Sequence, residues 1–327
     1  MKLKNKVMII AEIGNNHEGS FKLAKKLIDK ASKAGVDAVK FQTFKTEEYV
    51  NDKDNFRYKR LKKFELSKED FYKLSKFAKS KKLIFISTPF DIQSAIDLNK
   101  CVDFFKISSG DNNYFELIDK VLGFGKPTII STGLLDYSGV ENLLRFIKKK
   151  KFTMKKIYLL HCVSDYPVID KEANLLSIRY LRDKYKINIG YSDHTLGIEA
   201  SIMAVAHGAK IIEKHFTIDK NYSNFRDHKL SADPIEMFKL VQSVRKSSIM
   251  NGKYTKKITK NERKNLNSMR RSIYAKKQIN KGERITLDKI KLVRPFNFFS
   301  FNKIDDVLNK KAKSIIKKSQ PIYLKNI

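Results

Sequence analysis

Eight short apolar segments recur along the first two thirds of the chain and constrain its fold more than any other feature. Each is rich in β-branched residues, and an amphipathic stretch follows it. Such runs are typical of parallel strands that are buried on both faces. We predict strands at residues 7–11, 38–41, 83–86, 104–107, 127–130, 157–160, 187–190 and 210–213.

The stretches between these strands have helical periodicity. Ser20 can cap the first helix and Gly35 can end it, and apolar residues at helical spacing lie between them. The residues of this apolar face are Phe21, Ala24, Leu27, Ile28 and Ala31. Further helices are predicted near residues 68–80, 93–99, 114–122, 140–149, 175–185, 198–207 and 234–250.

Eight strand–helix units within residues 1–252 match an α/β fold of the (β/α)8, or TIM barrel, type in number and size. A doubly wound open sheet is the alternative fold. The first predicted strand is not followed by the glycine-rich fingerprint that dinucleotide-binding sheets of that type carry. The barrel is therefore the predicted architecture of this domain.

The sequence pattern changes after Gly252. Residues 253–271 are basic and polar, and we predict a solvated linker there. Residues 272–327 alternate short strand-like runs at 272–275, 285–286 and 290–295 with a turn at 279–283. They predict a compact β-rich domain near the lower size limit for an independent core, which docking against a partner would help.

The chain carries a formal net charge of +33. A basic protein of this kind can bind nucleic acid, but its lysines are spread along the whole chain and form no stripe with interleaved aromatic residues. Abundant Lys, Asn and Ile indicate compositional bias instead. We therefore predict no nucleic-acid partner, although a positive field favours anionic substrates.

The chain contains no apolar run long enough to span a membrane, and Glu12 interrupts the first apolar run before any signal-peptide cleavage site. Cys101 and Cys162 are its two cysteines, which is too few for a disulfide framework. These features predict a cytoplasmic protein without a membrane partner.

Polar residues follow the predicted strands where barrel enzymes place their chemistry, at the carboxyl ends. A lone serine or threonine at a strand end is more often a helix cap than a ligand, but capping does not explain a polar residue at all eight ends. These residues are Glu12, Lys40, Gln42, Thr88, Lys106, Ser109, Ser131, His161, Ser164, Tyr166, Ser192, Asp193, His194, Glu213 and His215.

Three kinds of chemistry are available in this set. Two lysines with nearby hydroxyl groups can hold a phosphate and a carboxylate, namely Lys40 and Lys106 with Ser109, Ser131 and Ser192. His194 and His215 can bind a divalent metal, although two histidines alone are a weak metal signal. Glu12 can act as a general acid or base. Of the other histidines, His207 is interpreted as structural, whereas His17 and His228 lie in predicted loops.

These positions sit in motifs that resemble the sialic acid synthase family. The motifs occur in order, as AEIGNNHEGS at 11–20, VKFQ at 39–42, STPF at 87–90, FKISSG at 105–110, GKPTIISTG at 125–133, YSDHT at 191–195 and EKHFT at 213–217. The tail, from KGE at 281–283 to VRP at 293–295, resembles the antifreeze-like (SAF) domain of the same enzymes. The resemblance covers almost the whole chain.

The resemblance implies a synthase that condenses phosphoenolpyruvate with an amino-sugar aldose to give N-acetylneuraminic, legionaminic or pseudaminic acid. It implies Mn²⁺ or Mg²⁺ on His194 and His215, and Glu12 as the catalytic acid–base. The implied phosphoenolpyruvate ligands are Lys40, Thr88, Lys106, Ser109, Ser131, Ser164 and Ser192. The implied sugar ligands are Gln42, Tyr166, Glu213, Asp227 and Arg294, the last reaching the partner's barrel in a domain-swapped homodimer.

Several departures from the family pattern leave the sugar open. Ser164 stands where some members have Asn, Arg226 precedes Asp227 where many have Pro-Gly, and Phe296 follows Pro295 where glycine is usual. The basic insertion at 51–65 either shapes the sugar site or forms a solvated loop. Condensation with a phosphorylated aldose, as in octulosonate-phosphate synthases, is the rival reaction, and the SAF-like tail argues against it.

Overall fold

A computed structural model describes residues 6–327, so Met1 to Asn5 of the basic N-terminal stretch lie outside the described residues. The chain divides into two compact units, residues 1–252 and 253–327. The first unit is a closed barrel of eight parallel strands in sequential order, which confirms the predicted fold class. Its strands are β1 Met8–Gly14, β2 Ala38–Thr43, β3 Ile84–Pro89, β4 Phe104–Ile107, β5 Thr128–Ser131, β6 Ile157–His161, β7 Asn188–Asp193 and β8 Ile211–His215.

The helices of this unit are α1 Phe21–Ala34, α2 Thr46–Tyr49, α3 Asn55–Phe64, α4 Lys68–Ser80, α5 Ile92–Leu98, α6 Phe115–Gly123, α7 Tyr137–Lys149, α8 Leu176–Tyr185, α9 Glu199–Ala206, α10 Arg226–Leu230 and α11 Pro234–Met250. In α1 the Ser20 side chain accepts a hydrogen bond from the Leu23 amide, and Gly35 ends the helix in the left-handed conformation, as its sequence predicts. None of the described helices is long and apolar enough to cross a membrane.

The barrel interior contains two layers of side chains. Successive inward positions on a strand are two residues apart, so one strand can contribute more than one residue to the interior. We call the deeper one the apolar layer, and it consists of Met8, Ile10, Ala38, Ile84, Ile86, Ile129, Leu160 and Ile211. One pleat nearer the carboxyl ends is the mouth layer of polar residues, Glu12, Lys40, Thr88, Lys106, Ser131, Ser192 and Glu213.

Gly190 shows how tightly the apolar layer is packed. A Cβ atom at this position would lie 2.5 Å from Leu160 Cδ2 and 2.6 Å from the Ile211 carbonyl oxygen. Any side chain at position 190 would therefore force the neighbouring strands apart. The interior below the mouth is a filled core and leaves no channel.

The second unit has its own small core. Strands β9 Ser272–Ala275 and β10 Ile290–Val293 pair antiparallel, and β-branched residues pack around them. The core residues are Ile273, Ala275, Ile279, Ile285, Ile290, Phe299, Val307, Ala312, Ile316 and Ile322. The predicted strand at 285–286 is wrong, because Ile285 is held by single backbone hydrogen bonds to residues 309 and 310 and belongs to no ladder.

Part of the predicted linker is helical. Helix α12, Lys260–Met269, begins with a capping box between Thr259 and Glu262 and buries none of its residues. Its polar composition suits a solvated surface, which agrees with the charge of this stretch. The capping signal was present in the sequence as a threonine three residues before a glutamate.

Candidate active site

The carboxyl ends of the barrel strands surround a narrow pit of about 50 Å³. Most of the predicted site residues line it because they occupy inward positions on parallel strands or lie in the loops that follow those strands. They are Glu12, Lys40, Gln42, Thr88, Lys106, Ser109, Ser131, Tyr166, Ser192, His194, Glu213 and His215. The structure therefore brings together residues as far apart in the sequence as Glu12 and His215.

Four ionisable side chains at the floor of the pit form one connected group. Lys40 Nζ lies 2.9 Å from Glu12 Oε2 and 3.5 Å from Glu213 Oε1, and Lys106 Nζ lies 3.5 Å from the same Glu213 oxygen. Each of the four residues is at most 4% exposed. Two ammonium groups and two carboxylates thus balance each other where water has little access.

The pKa values of the two carboxyl groups are shifted in opposite directions. Burial raises the pKa of Glu12 to about 7, and the negative charge of Glu213 adds to this effect. Burial also acts on Glu213, but the ammonium groups of Lys106 and Lys40 outweigh it and hold the pKa of Glu213 below its ordinary value. Glu213 is therefore ionised at neutral pH, whereas Glu12 can gain or lose a proton there.

The two lysines also differ. Burial lowers the pKa of Lys106, and the carboxylate of Glu213 offsets this only in part. For Lys40, the carboxylates of Glu12 and Glu213 outweigh burial and raise the pKa. Lys40 is therefore the more firmly charged of the two, and an anion that enters the pit would favour the charged form of both.

His194 and His215 face the pit with neutral imidazole rings. Burial lowers the pKa of both, to well below its usual value for His215. His194 Nδ1 lies 2.7 Å from the Val163 carbonyl oxygen. Because a carbonyl only accepts hydrogen bonds, Nδ1 carries the proton and Nε2 keeps its lone pair. A neutral imidazole with a free lone pair is the form that binds metal ions.

The arrangement of these histidines fits a divalent metal ion. Their ring centroids are 5.6 Å apart, and the buried His215 Nδ1 has no hydrogen-bond partner among residues 6–327. No cluster of three or more His, Cys, Asp or Glu side chains in this part of the chain forms a metal cage. A metal ion held by His194 and His215 would therefore take its other ligands from water and substrate, as in open catalytic sites.

Hydroxyl groups surround the ions at the floor. Thr88 Oγ1 accepts a hydrogen bond from Lys40 at 3.3 Å, and Ser192 donates to Glu213 at 3.1 Å. Ser109 Oγ lies 3.0 Å from the thiol of Cys162. The buried Ser164 Oγ and Glu213 Oε2 have no partner within residues 6–327, so both are available to a ligand.

A wider cavity of about 910 Å³ opens above the pit. Gln42, Tyr166 and Asp227, three of the predicted sugar ligands, line it together with Ser164 and His215. The Tyr166 ring lies 4.3 Å from the His194 ring, measured between centroids. Because the cavity includes residues of the pit, a ligand in it can reach the histidines and the ion group below.

Two predicted positions lie outside the pit, whereas Arg294, predicted to act in a partner's barrel, stays a prediction. His161 and Asp193 were expected at the mouth, but both are one residue out of phase with the inward positions of their strands. His161 bonds to the Ala173 carbonyl oxygen, and Asp193 forms a buried ion pair with Lys214 at 3.0 Å. Arg294 belongs to the second unit, where its Nε donates to the Met269 carbonyl oxygen at 2.6 Å.

The structure adds cavity residues that the sequence analysis did not assign to a site. Asp111 follows Ser109 by two residues and accepts a hydrogen bond from Ser108. Its position shortly after β4 is a sequence signal that could have identified it as a site residue. Arg57 and Arg60 come from helix α3 in the insertion at 51–65, and Arg226 comes from the loop after β8. Only the docking of these loops brings the arginines to the cavity, and no sequence pattern reveals that.

The loop after β8 is tied to the loop after β1. His228 Nε2 lies 3.0 Å from Glu18 Oε1, and His228 Nδ1 lies 2.7 Å from Thr217 Oγ1. His228 is fully buried. This network fixes the backbone next to Asp227 and gives His228 a structural role.

Comparisons with known proteins agree with this geometry. The NeuB family model matches residues 27–256, and the SAF domain model matches residues 270–327. An uncharacterized protein of Methanocaldococcus jannaschii is 41% identical over 316 residues, which cover 96% of this chain and 93% of that protein. The N,N'-diacetyllegionaminic acid synthase of Campylobacter jejuni is 38% identical over 331 residues, with 97% and 99% covered.

A solved structure is similar as well. The N-acetylneuraminic acid synthetase of Leptospira borgpetersenii, crystallised with citrate, is 36% identical with a TM-score of 0.76, over 80% of this chain and 90% of that one. The family match covers more than half of the chain, and the relatives align over nearly their full length. This chain therefore belongs to the NeuB family, ends in a SAF domain, and is a carbon–carbon bond-forming transferase of the sialic acid synthase type.

Proposed function

We propose that the protein condenses phosphoenolpyruvate with an N-acylated aldose to give a nine-carbon sialic-acid-like sugar and inorganic phosphate. The observation that carries this proposal is the buried group of Lys40, Lys106, Glu12 and Glu213 beneath two neutral histidines, in a pit at the carboxyl end of the barrel. The legionaminic acid synthase among the relatives supports an N-acylated acceptor.

Phosphoenolpyruvate fits the floor of the pit on grounds of charge. Its phosphate and carboxylate need fixed cationic and hydroxyl donors, and Lys40 and Lys106 provide the cations. The hydroxyl groups of Thr88, Ser109, Ser131, Ser164 and Ser192 are the further donors. In the structure the lysines are paired with carboxylates, so an incoming anion would compete with Glu12 and Glu213 for them.

The reaction balances with these groups. Carbon 3 of phosphoenolpyruvate bonds to the aldehyde carbon of the open-chain sugar, whose oxygen takes up a proton. Water adds to carbon 2 of the former phosphoenolpyruvate and loses a proton, and the carbon–oxygen bond to phosphate breaks. The products are a 2-keto-3-deoxy acid and inorganic phosphate.

Glu12 is the residue suited to move these protons. Its pKa of about 7 lets the same carboxyl group donate a proton and later accept one at neutral pH. Gln42 donates a hydrogen bond to Glu12 Oε1 at 3.4 Å and accepts one from Asn15 at 2.8 Å. This chain of contacts holds the Glu12 carboxyl group toward the pit.

His194 and His215 are the proposed metal ligands. A Mn²⁺ or Mg²⁺ ion bound there would supply Lewis-acid polarisation of the aldehyde oxygen. Tyr166, Gln42 and Asp227 line the cavity next to these histidines and are the proposed ligands of the sugar. Glu213, the fourth proposed sugar ligand of the barrel, lines the pit below, and its buried Oε2 has no hydrogen-bond partner among residues 6–327.

Release of phosphate from phosphoenolpyruvate tests this function. The protein is incubated with Mn²⁺ and a panel of N-acetylmannosamine and diacetamido-trideoxyhexoses, and the sugar product is identified by mass spectrometry. We expect metal-dependent release with one acceptor, its loss in His215→Ala, and its retention in the matched control His207→Ala at the end of α9. No release with any acceptor by folded, metal-loaded protein would contradict the proposal.

We further propose that Arg294 acts in the barrel of a partner subunit within a domain-swapped homodimer. Mixing two inactive variants, Arg294→Ala and Glu12→Gln, tests this exchange. In a swapped dimer each mixed pair contains one intact site, so random pairing restores about a quarter of the wild-type activity. Absence of any recovery after subunit exchange would contradict the swapped arrangement.

A further inference from the structure

A buried ion pair lies directly behind the two histidines of the pit. Asp193 ends β7 and precedes His194, and Lys214 precedes His215 on β8. Asp193 and Lys214 are opposite each other in the ladder between the two strands. Because successive side chains on a strand point to opposite faces, the histidines face the pit whereas the ion pair faces the surrounding helices.

The carboxylate of Asp193 is fully occupied by this pair and its neighbours. Its Oδ2 lies 3.0 Å from Lys214 Nζ and accepts a hydrogen bond from Ser201 of α9 at 2.6 Å. Its Oδ1 accepts hydrogen bonds from the Thr195 amide at 2.9 Å and the Thr195 hydroxyl at 2.7 Å. Lys214 Nζ also donates to the Thr195 carbonyl oxygen at 2.8 Å. Strands β7 and β8, helix α9 and the loop after β7 are therefore joined at one point.

Stability alone does not explain an ion pair at this place. Asp193 and Lys214 are 1% and 2% exposed. Desolvation offsets most of the attraction in such a pair, and apolar residues of similar volume would stabilise the fold at least as well. The ion pair provides what apolar contacts lack, which is a set of hydrogen bonds with defined lengths and directions.

The histidines need such a fixed reference. The ladder between β7 and β8 has Asp193 and Lys214 as its last pair, one residue before the histidines. The His194 ring is held by the Val163 carbonyl oxygen, whereas His215 Nδ1 has no hydrogen-bond partner among residues 6–327. The position of His215 relative to His194 therefore depends on the backbone of β8, which Lys214 ties to β7.

From these contacts we infer that Asp193 and Lys214 are positioning residues that set the separation of His194 and His215 and thereby the affinity of the site for a divalent metal ion. The inference rests on the proposed function and concerns the metal site of that same reaction. The two rings are 5.6 Å apart between centroids, and neither member of the ion pair lines the pit. The ion pair acts through the backbone of the histidines, without contact with the ligand.

Binding of Mn²⁺ to the full-length protein, without phosphoenolpyruvate or sugar, tests this inference. Electron paramagnetic resonance of the free ion gives the Kd. We expect the Kd to rise about tenfold in Asp193→Asn, in Lys214→Met and in the double variant, because residues that orient metal ligands change metal affinity by at least that much. An effect of charge alone predicts weaker binding in Asp193→Asn, tighter binding in Lys214→Met and wild-type binding in the double variant.

The matched control breaks another ion pair of the barrel. Asp37 precedes β2 at the opposite end of the strands and pairs with Arg245 of α11. Asp37→Asn should leave the Kd for Mn²⁺ unchanged. The double variant has no unpaired buried charge, so it provides folded protein where a single substitution prevents folding.

The outcomes separate this inference from the proposed function. Wild-type affinity in the double variant, or opposite shifts in the two single variants, would overturn the inference and leave the proposed metal site in place. An equal loss of affinity in Asp37→Asn would also overturn it, because general loosening of the barrel would then explain the effect. Absence of Mn²⁺ binding by wild type, or unchanged binding in His215→Ala, would contradict the proposed metal site and the inference together.

Discussion

The apolar layer and the mouth layer are contributed by strands of the same barrel, yet they have opposite chemistry. Ile10 precedes Glu12, Ala38 precedes Lys40, and the same step separates Ile211 from Glu213. The deeper positions are filled by aliphatic side chains in close contact. The shallower ones hold buried ions and hydroxyl groups around a pit.

This difference indicates which layer serves stability and which serves chemistry. Apolar burial stabilises the fold by roughly 25 cal/mol per Å² removed from water. A buried ion group is at best weakly stabilising, because desolvation offsets most of the attraction between its members. The mouth layer is therefore best explained by its ligands, and substitutions in the two layers should have opposite consequences.

The largest expected effect is on turnover, in the mouth layer. Glu12→Gln keeps the size of the side chain but removes the titrating carboxyl group, so kcat should fall by about 100- to 10,000-fold. The measurement is the steady-state rate of phosphate release, together with an unfolding curve that should stay near wild type. A kcat within tenfold of wild type would remove Glu12 from the proton transfers.

In the apolar layer we expect the opposite result, a loss of stability with turnover nearly unchanged. Leu160→Ala opens a cavity next to Gly190 and should lower the free energy of unfolding by about 2–5 kcal/mol. The kcat of the folded protein should change little, because Leu160 does not line the pit. Leu160→Met, which conserves volume, is the control and should cost less than about 1.5 kcal/mol. A large loss of kcat in Leu160→Ala without a loss of stability would contradict the distinction between the two layers.

Which residues of each strand point into the barrel explains how far the sequence could predict this arrangement. Short β-branched runs give the barrel, and residues two positions beyond an inward aliphatic residue fall into the mouth. Glu12, Lys40, Lys106 and Glu213 were predicted as polar residues at or near strand ends, and in the structure they occupy these inward positions. His161 was misplaced because it is one position out of phase, which a strand end alone does not reveal.

Other features depend on tertiary packing and were beyond the sequence. The basic composition of residues 51–65 fits a solvated loop as well as a docked helix. Phe64, Phe225 and Gly19 decide between the two, and their contacts join segments that are far apart in the chain. The predicted strand at 285–286 failed for a similar reason, since Ile285 is buried through the small core without a ladder partner.

A smaller effect should follow from neutralising the ion group in pairs. The double substitution Glu12→Leu with Lys40→Met should leave stability unchanged or raise it by about 1–4 kcal/mol, while abolishing activity. Lys40→Met alone should be less stable than the double variant, because it leaves Glu12 and Glu213 close together without Lys40. Chemical denaturation measures both, and a double variant less stable than the single one would show that the ions stabilise the fold.

The smallest expected effect tests a single hydroxyl group of the mouth layer. Thr88→Val keeps the shape of the side chain but removes the hydrogen bond from Lys40. The hydrogen bond of a single hydroxyl group contributes on the order of 1 kcal/mol net, so phosphoenolpyruvate binding should weaken about fivefold with no large change in unfolding. Unchanged affinity would indicate that Thr88 only supports Lys40.

The central claim is that the ion group of the mouth layer is the phosphoenolpyruvate site. The most direct measurement is calorimetric titration of phosphoenolpyruvate, with Mn²⁺ present, into wild type, Lys106→Met and the control Leu160→Met. The account predicts equal affinity for wild type and Leu160→Met, and binding weaker by about a hundredfold or more in Lys106→Met, because a charged hydrogen bond in the pit is lost. Wild-type affinity in Lys106→Met would contradict the claim.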